Sequence, residues 1–231
     1  MKKNNAHSES RSGAGSNRLK KTGYFLAGFA GFCLFLWLLL LHRPFGFVQL
    51  QTVDSNEVSK YLTHQLLPEF YNGQQSREPF SMAITEEGLN EVIAHMKWPR
   101  EYGDMIFDVP RLYFMPGKIV IIGKVAFGGV EFVATVAAKP ELDEQGDFYP
   151  NIEKVKLGAV NITPIAHAAA VSIFRNKFKV DEDKPEAKLV WAIVDGGGVE
   201  PVISIDGDKI KLRELNIASG TVNVRFVPVE D

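Results

Sequence analysis

Eighteen consecutive uncharged residues, Tyr24 to Leu41, set the first limit on what this chain can fold into. They are rich in Leu and Phe and lie between Lys20-Lys21 and His42-Arg43. A helix apolar on every side has no place on the surface of a globular domain. At about 1.5 Å rise per residue the run reaches roughly 27 Å, near the hydrocarbon thickness of a bilayer. The expectation is a transmembrane helix over 24–41, after a disordered cytoplasmic tail over 1–23. A linker over 42–53 and one extracytoplasmic domain over 54–231 would follow. Lys2, Lys3, Arg11, Arg18, Lys20 and Lys21 face a single acid, Glu9, before the run. That asymmetry predicts a single-pass protein of the cell membrane, amino terminus cytoplasmic. A cleaved signal peptide fits less well, because Leu41-His42-Arg43-Pro44-Phe45 offers no small-residue cleavage site.

After residue 43 there are 19 basic residues against 27 acids. This balance argues against nucleic acid as a partner and against docking on anionic headgroups through a basic patch. Cys33 is the only cysteine and lies within the apolar run, so the domain has neither disulfide nor thiol chemistry.

Periodicity predicts an α+β domain with an antiparallel sheet. Val58, Tyr61, Leu62, Leu66 and Phe70 recur at helical spacing from Asp54, a candidate N-cap, and Pro68 should disturb the helix end. Ser81–Ile84 is strand-like. Thr85 then caps a helix with Glu86 and Glu87 in its first turn and an apolar stripe of Leu89, Val92, Ile93 and Met96. Arg111–Phe114 is a short strand. Lys118–Phe127 and Val130–Lys139 flank Gly128-Gly129, a hairpin signal. The first arm is apolar on both faces, Ile119, Ile121, Val125 and Phe127 against Val120, Ile122 and Ala126, so something must cover both.

Glu141–Gly146 is an acidic turn and Asn151–Val160 a strand. Thr163-Pro164 starts a helix with Ala170, Val171, Phe174 and Phe178 on one face. Lys188–Val194 is strand-like and is broken by Gly196-Gly197-Gly198. Residues 203–226 alternate cleanly, with Val222, Val224 and Phe226 on the buried side and Lys209, Lys211 and Arg213 on the polar side.

No catalytic constellation emerges. The five histidines lack metal-ligand spacing; His95 suits a surface or half-buried position and His167 a packed or hydrogen-bonded one. The triple glycine lacks the Lys-Ser/Thr of a phosphate loop. Asp181-Glu182-Asp183 and Asp143-Glu144 do not match a calcium loop. Asn161-Ile162-Thr163 is better explained by a helix cap than by glycosylation. The expectation is no enzyme, no cofactor and no metal.

Ser81-Met82-Ala83-Ile84-Thr85-Glu86-Glu87-Gly88-Leu89-Asn90-Glu91-Val92-Ile93 resembles the Thr-Glu-x-x-Leu-Asn helix start of YpmS-type single-pass bacterial membrane proteins and of the related LmeA-like phospholipid-binding proteins. Leu112-Tyr113-Phe114-x-Pro116-Gly117-Lys118-Ile119, the Pro140–Gly146 turn, Lys156-Leu157-Gly158-x-x-x-Ile162-x-Pro164 and Gly220–Pro228 resemble later landmarks of the YpmS type. The resemblance covers roughly residues 78–228 and implies a half-tube of the TULIP kind. In it a curved antiparallel sheet packs on two to three helices, and acyl chains lie between helix and sheet. The residues it places in that groove are Leu89, Val92, Ile93, Met96, Ile119, Ile121, Val125, Phe127, Phe132, Val136, Phe174 and Phe178; packing together as an ordinary core is their alternative role.

The expected function is a membrane-anchored, non-catalytic module of the cell envelope that binds lipid or another amphiphile. The alternative is an envelope scaffold or protein-interaction module with no small ligand. On this reading Ile121→Glu or Phe132→Glu abolishes binding or folding, and Lys211→Glu on the polar face does neither.

Overall fold

A computed structural model of the chain describes residues 14–44, 46–53, 57–177, 185–205 and 207–229. The chain divides into two compact units between Leu39 and Leu40. The first contains one helix, α1 (Ala14–Leu40). Phe25, Phe29, Phe32, Leu34, Trp37 and Leu38 are all exposed on it. No helix among the described residues is long and apolar enough to cross a membrane, which overturns the expected transmembrane helix over 24–41. The run of apolar side chains occupies only the later part of α1. Farther back the same helix carries Lys21, Lys20 and Arg18.

The second unit begins with a π-helical turn (Leu62–Leu66) running into α2 (Leu67–Gln75). Pro68 has no N–H to give to the preceding turn, and the wider turn sits immediately before it, so the helix continues past the proline. Asp54 lies outside the described residues. The observed cap is Ser59, whose Oγ accepts from Leu62 N–H at 3.2 Å. Then come β1 (Phe80–Thr85), α3 (Glu86–Ala94), β2 (Arg100–Tyr102), β3 (Met105–Phe107), β4 (Arg111–Met115), β5 (Lys118–Phe127) and β6 (Val130–Ala138). After these come β7 (Glu141–Leu142), β8 (Phe148–Tyr149), β9 (Ile152–Leu157), β10 (Val160–Asn161), α4 (Thr163–Lys177) and α5 (Pro185–Asp195). β11 (Val202–Ile205), β12 (Asp208–Ala218) and β13 (Thr221–Pro228) close the chain.

The architecture is α+β, and every strand pairing is antiparallel. It is not the single curved sheet of a half-tube. A four-stranded sheet has the order β1-β13-β12-β11. A seven-stranded sheet has the order β10-β9-β6-β5-β3-β2, with β4 also on β5. β7 and β8 form a separate ribbon. The core lies on one face of the four-stranded sheet, where Met82, Ile210, Ile217, Val222, Val224 and Phe226 meet Leu112 and Phe114 of β4. Phe70, Leu89, Ile93 and Ile119 close its margins.

The expected alternation in β13 is present: Val222, Val224 and Phe226 are buried, and Asn223 and Arg225 are exposed. In β12 a bulge falls between Leu212 and Glu214. It reverses parity, so Leu212, Leu215 and Ile217 all stand opposite apolar residues of β13. Lys211 is not a free solvent-facing lysine. Its side chain is 12% exposed and its Nζ lies 2.8 Å from Glu200, whose carboxyl it holds below the ordinary range. Charge reversal at Lys211 would set two carboxylates together, contrary to the sequence expectation. Lys188–Val194, expected as a strand, lies within α5. Pro185 and Glu186 supply a helix start that outweighs the β-preference of the apolar run.

α3 joins the two large sheets. Thr85 caps it as expected, its Oγ1 accepting from Gly88 N–H at 3.1 Å. Its polar side chains then bond the open edge of β4. Asn90 Nδ2 donates to Leu112 O at 2.7 Å, and Leu112 N–H donates to Asn90 Oδ1 at 2.8 Å. Phe114 N–H donates to Glu86 Oε2 at 2.7 Å, so Glu86 is an edge partner as well as a first-turn acid. Gly220 N–H donates to Phe114 O at 3.1 Å.

On another side of α3, Glu91 Oε1 accepts from Ser59 Oγ at 2.8 Å and from Tyr61 N–H at 3.1 Å. The Tyr61 N–H and then the Ser59 hydroxyl hold this carboxyl below its ordinary value. A lowered folded-state pKa contributes stability above the unfolded value of about 4.3, and that contribution disappears as pH falls through the folded value. Glu91→Gln is therefore expected to lower the melting temperature more at pH 7 than at pH 3. Thermal melts across that interval check it, and equal losses at both ends would refute the clasp.

Candidate functional site

Register places the expected strand residues together. Ile121 stands opposite Val136, Val125 opposite Phe132, and Phe127 opposite Val130, so Ile119, Ile121, Val125, Phe127, Phe132 and Val136 share one face of the β5–β6 hairpin. None of these six is fully buried. Ile119 packs against the core, whereas Ile121 is 39% and Phe127 56% exposed. The face is thus exposed at Ile121 and again at Phe127 near the hairpin tip, with Pro110 lying over Gly123 between them.

The helical residues do not line this surface as one groove. Leu89 and Ile93 pack on the core beside β4. Val92 is half-buried, and Met96 lies beyond the end of α3 and is exposed. The reason is the edge pairing: Asn90 and Glu86 fix α3 to the margin of β4 instead of laying it along the hairpin. Phe174 belongs to α4, and Phe178 lies outside the described residues. α4 is tied to the sheet at its start, where Val155 N–H donates to Thr163 Oγ1 at 2.8 Å and Thr163 Oγ1 donates to Asn161 Oδ1 at 2.6 Å. Farther along, Ile165 is 70% exposed. His167, expected to be packed or hydrogen-bonded, is also exposed.

A cavity of about 430 Å³ lies elsewhere, between the β4–β5 turn, the β7–β8 ribbon and β12. Pro140, Glu141, Asp143, Tyr149 and Asn216 contribute to its lining, and none of the expected groove residues does. The nearby Asp143 charge raises the Tyr149 phenol above its ordinary value. Lys139 holds the Glu141 carboxyl below the ordinary range by hydrogen bond and charge. Sequence reasoning treated this segment only as an acidic turn; the turn and β12 meet through distant chain, and no local spacing announces it. Among the described residues no cluster of His, Cys, Asp and Glu could hold a metal ion. Compared with known proteins, the chain matches no family model, no curated protein and no solved structure.

Proposed function

We propose that this chain is a non-catalytic module of the cell envelope that binds a lipid or other amphiphile on the open apolar face of the β5–β6 hairpin. The observation that carries the reading is the exposure of Ile121 and Phe127 on a strand whose cross-strand neighbours are also apolar. Exposed apolar surface gathered on one face of a sheet marks an interaction site. The exposed Phe, Leu and Trp side chains of α1 support work beside a lipid surface; no membrane crossing is part of the reading. An open face suits an acyl chain laid along the strands better than an enclosed small molecule.

Native mass spectrometry of the gently purified full chain tests it, with copurified amphiphile as the expected result. Ile121→Glu and Phe127→Glu place the new carboxylate where water reaches it, so both variants should fold. Each should lower amphiphile retention about tenfold or more, since roughly 1.5–3 kcal/mol accompanies burial of one such side chain. A wild-type chain that is always empty, or variants that retain ligand equally, would overturn the proposal. The exposed Ile165 favours protein interaction as the second reading. In that case crosslinking recovers one stoichiometric partner while lipid is absent.

A further inference from the structure

The reverse face of the seven-stranded sheet carries different chemistry. Arg111 pairs with Ile122, Ile122 with Thr135, and Thr135 with Lys156. These four residues form one row across β4, β5, β6 and β9, on the face away from Ile121 and Phe127. Adjacent rows bring Lys124, opposite Val133, and Lys154, opposite Ala137, onto the same face. Lys124 has an acidic neighbour, Glu131, at 3.7 Å. Among the described residues no acid pairs with Lys154 or Lys156. The overall acidic balance of the domain conceals this local concentration of cations.

Two polar atoms in the row lack partners. Thr135 Oγ1 and Arg111 Nε are buried without a hydrogen bond. The Arg111 guanidinium lies 5.4 Å from the Tyr113 ring centre, a contact that leaves its N–H donors free for an acceptor. Buried polar groups are normally paired, so an orphaned hydroxyl beside Lys156, with the orphaned Arg111 Nε beyond Ile122 in the same row, points to an absent acceptor of negative charge. By strand spacing, Thr135 stands about 5 Å from Lys156 and about 10 Å from Arg111, within the span of two long side chains and a tetrahedral anion.

We propose that Arg111, Thr135 and Lys156 form a binding site for an anionic group of the phosphate or carboxylate class. Arg111 supplies a planar fork of donors, Thr135 a hydroxyl, and Lys156 a point charge. The site lies on the other side of the sheet from the apolar face and does not depend on amphiphile binding there. The test uses the full chain in zwitterionic detergent. Inorganic phosphate is titrated by calorimetry, and flotation is measured with phosphatidylcholine vesicles with and without phosphatidylglycerol. Phosphate binding alone identifies a free anion as ligand, and binding only to the anionic vesicles identifies a headgroup. In either case Lys156→Gln and Thr135→Val should weaken binding at least tenfold, and Lys97→Gln, which removes an exposed charge elsewhere, should leave it unchanged. Without ligand, Thr135→Val should melt at or above the wild-type temperature, because it removes an unpaired hydroxyl. Absence of both binding modes, a Thr135→Val variant that binds like wild type, or one that melts lower would each overturn the site.

Discussion

Replacing Asn90 with leucine is expected to destabilise the domain by about 2–6 kcal/mol, the sum of leaving one buried N–H and one buried C=O unpaired. Both groups belong to Leu112, which is 8% exposed, and among the described residues both are bonded at that edge by the Asn90 amide. Leucine has the same number and branching of side-chain heavy atoms, so it leaves no cavity and the loss reports hydrogen bonding. Asn90→Asp separates the two bonds. A carboxylate still accepts from Leu112 N–H but places its second oxygen against Leu112 O. That variant should therefore recover stability as the carboxyl is protonated at low pH, whereas Asn90→Leu should not. Urea denaturation at pH 7 and pH 4 measures both. A loss below about 0.5 kcal/mol, the ordinary effect of a surface change, would mean that the edge of β4 finds other partners.

Asn90 also shows where the sequence stops being legible. Its local setting, the cap at Thr85, the acids in the first turn and the apolar stripe beyond, specifies α3 by chemistry that acts within one turn. Nothing in that spacing tells that the amide completes a strand 22 residues away. The same division holds for the strands. The β5–β6 hairpin follows from Gly128-Gly129, both at positive φ, between two β-prone runs. β2 and β3 had a comparable signal in Gly103-Asp104, with Gly103 at φ 61° between the paired Tyr102 and Met105, but the strands around it are too short for a period to stand out. Arg213 defeats alternation in β12, because one extra residue moves every later side chain to the other face.

For the candidate site, local pattern gave the shared face of Ile121, Val125, Phe127, Phe132 and Val136, which depends only on the two-residue period and the hairpin register. It did not give the separation of that face from α3. Nor did it give the row of Arg111, Thr135 and Lys156, which needs the pairings of β4 with β5 and of β6 with β9. Total charge was a poor guide for the same reason: it sums over residues that the sheet then sorts onto faces.

Phe226→Ala is expected to destabilise the domain by about 3–5 kcal/mol, the usual range for truncating a buried aromatic side chain. Phe226 is 7% exposed in β13, opposite Phe80 of β1 and Leu212 of β12. Its ring centre lies 5.4 Å from that of Phe80 and 5.7 Å from that of Phe70, which meets it edge-on from α2. Truncation thus removes contacts to a helix and two strands at once, and β1 cannot close the gap without breaking its pairing with β13. Phe127→Ala is the matched comparison. Phe127 is 56% exposed at the tip of the β5–β6 hairpin, so its truncation should change stability by no more than about 0.5 kcal/mol. The two variants lose the same atoms, and the gap between their denaturation free energies measures how unevenly this fold hides its aromatic surface. Near-equal losses would mean that the hairpin face is covered in solution, and an open apolar surface there would no longer be available to an amphiphile.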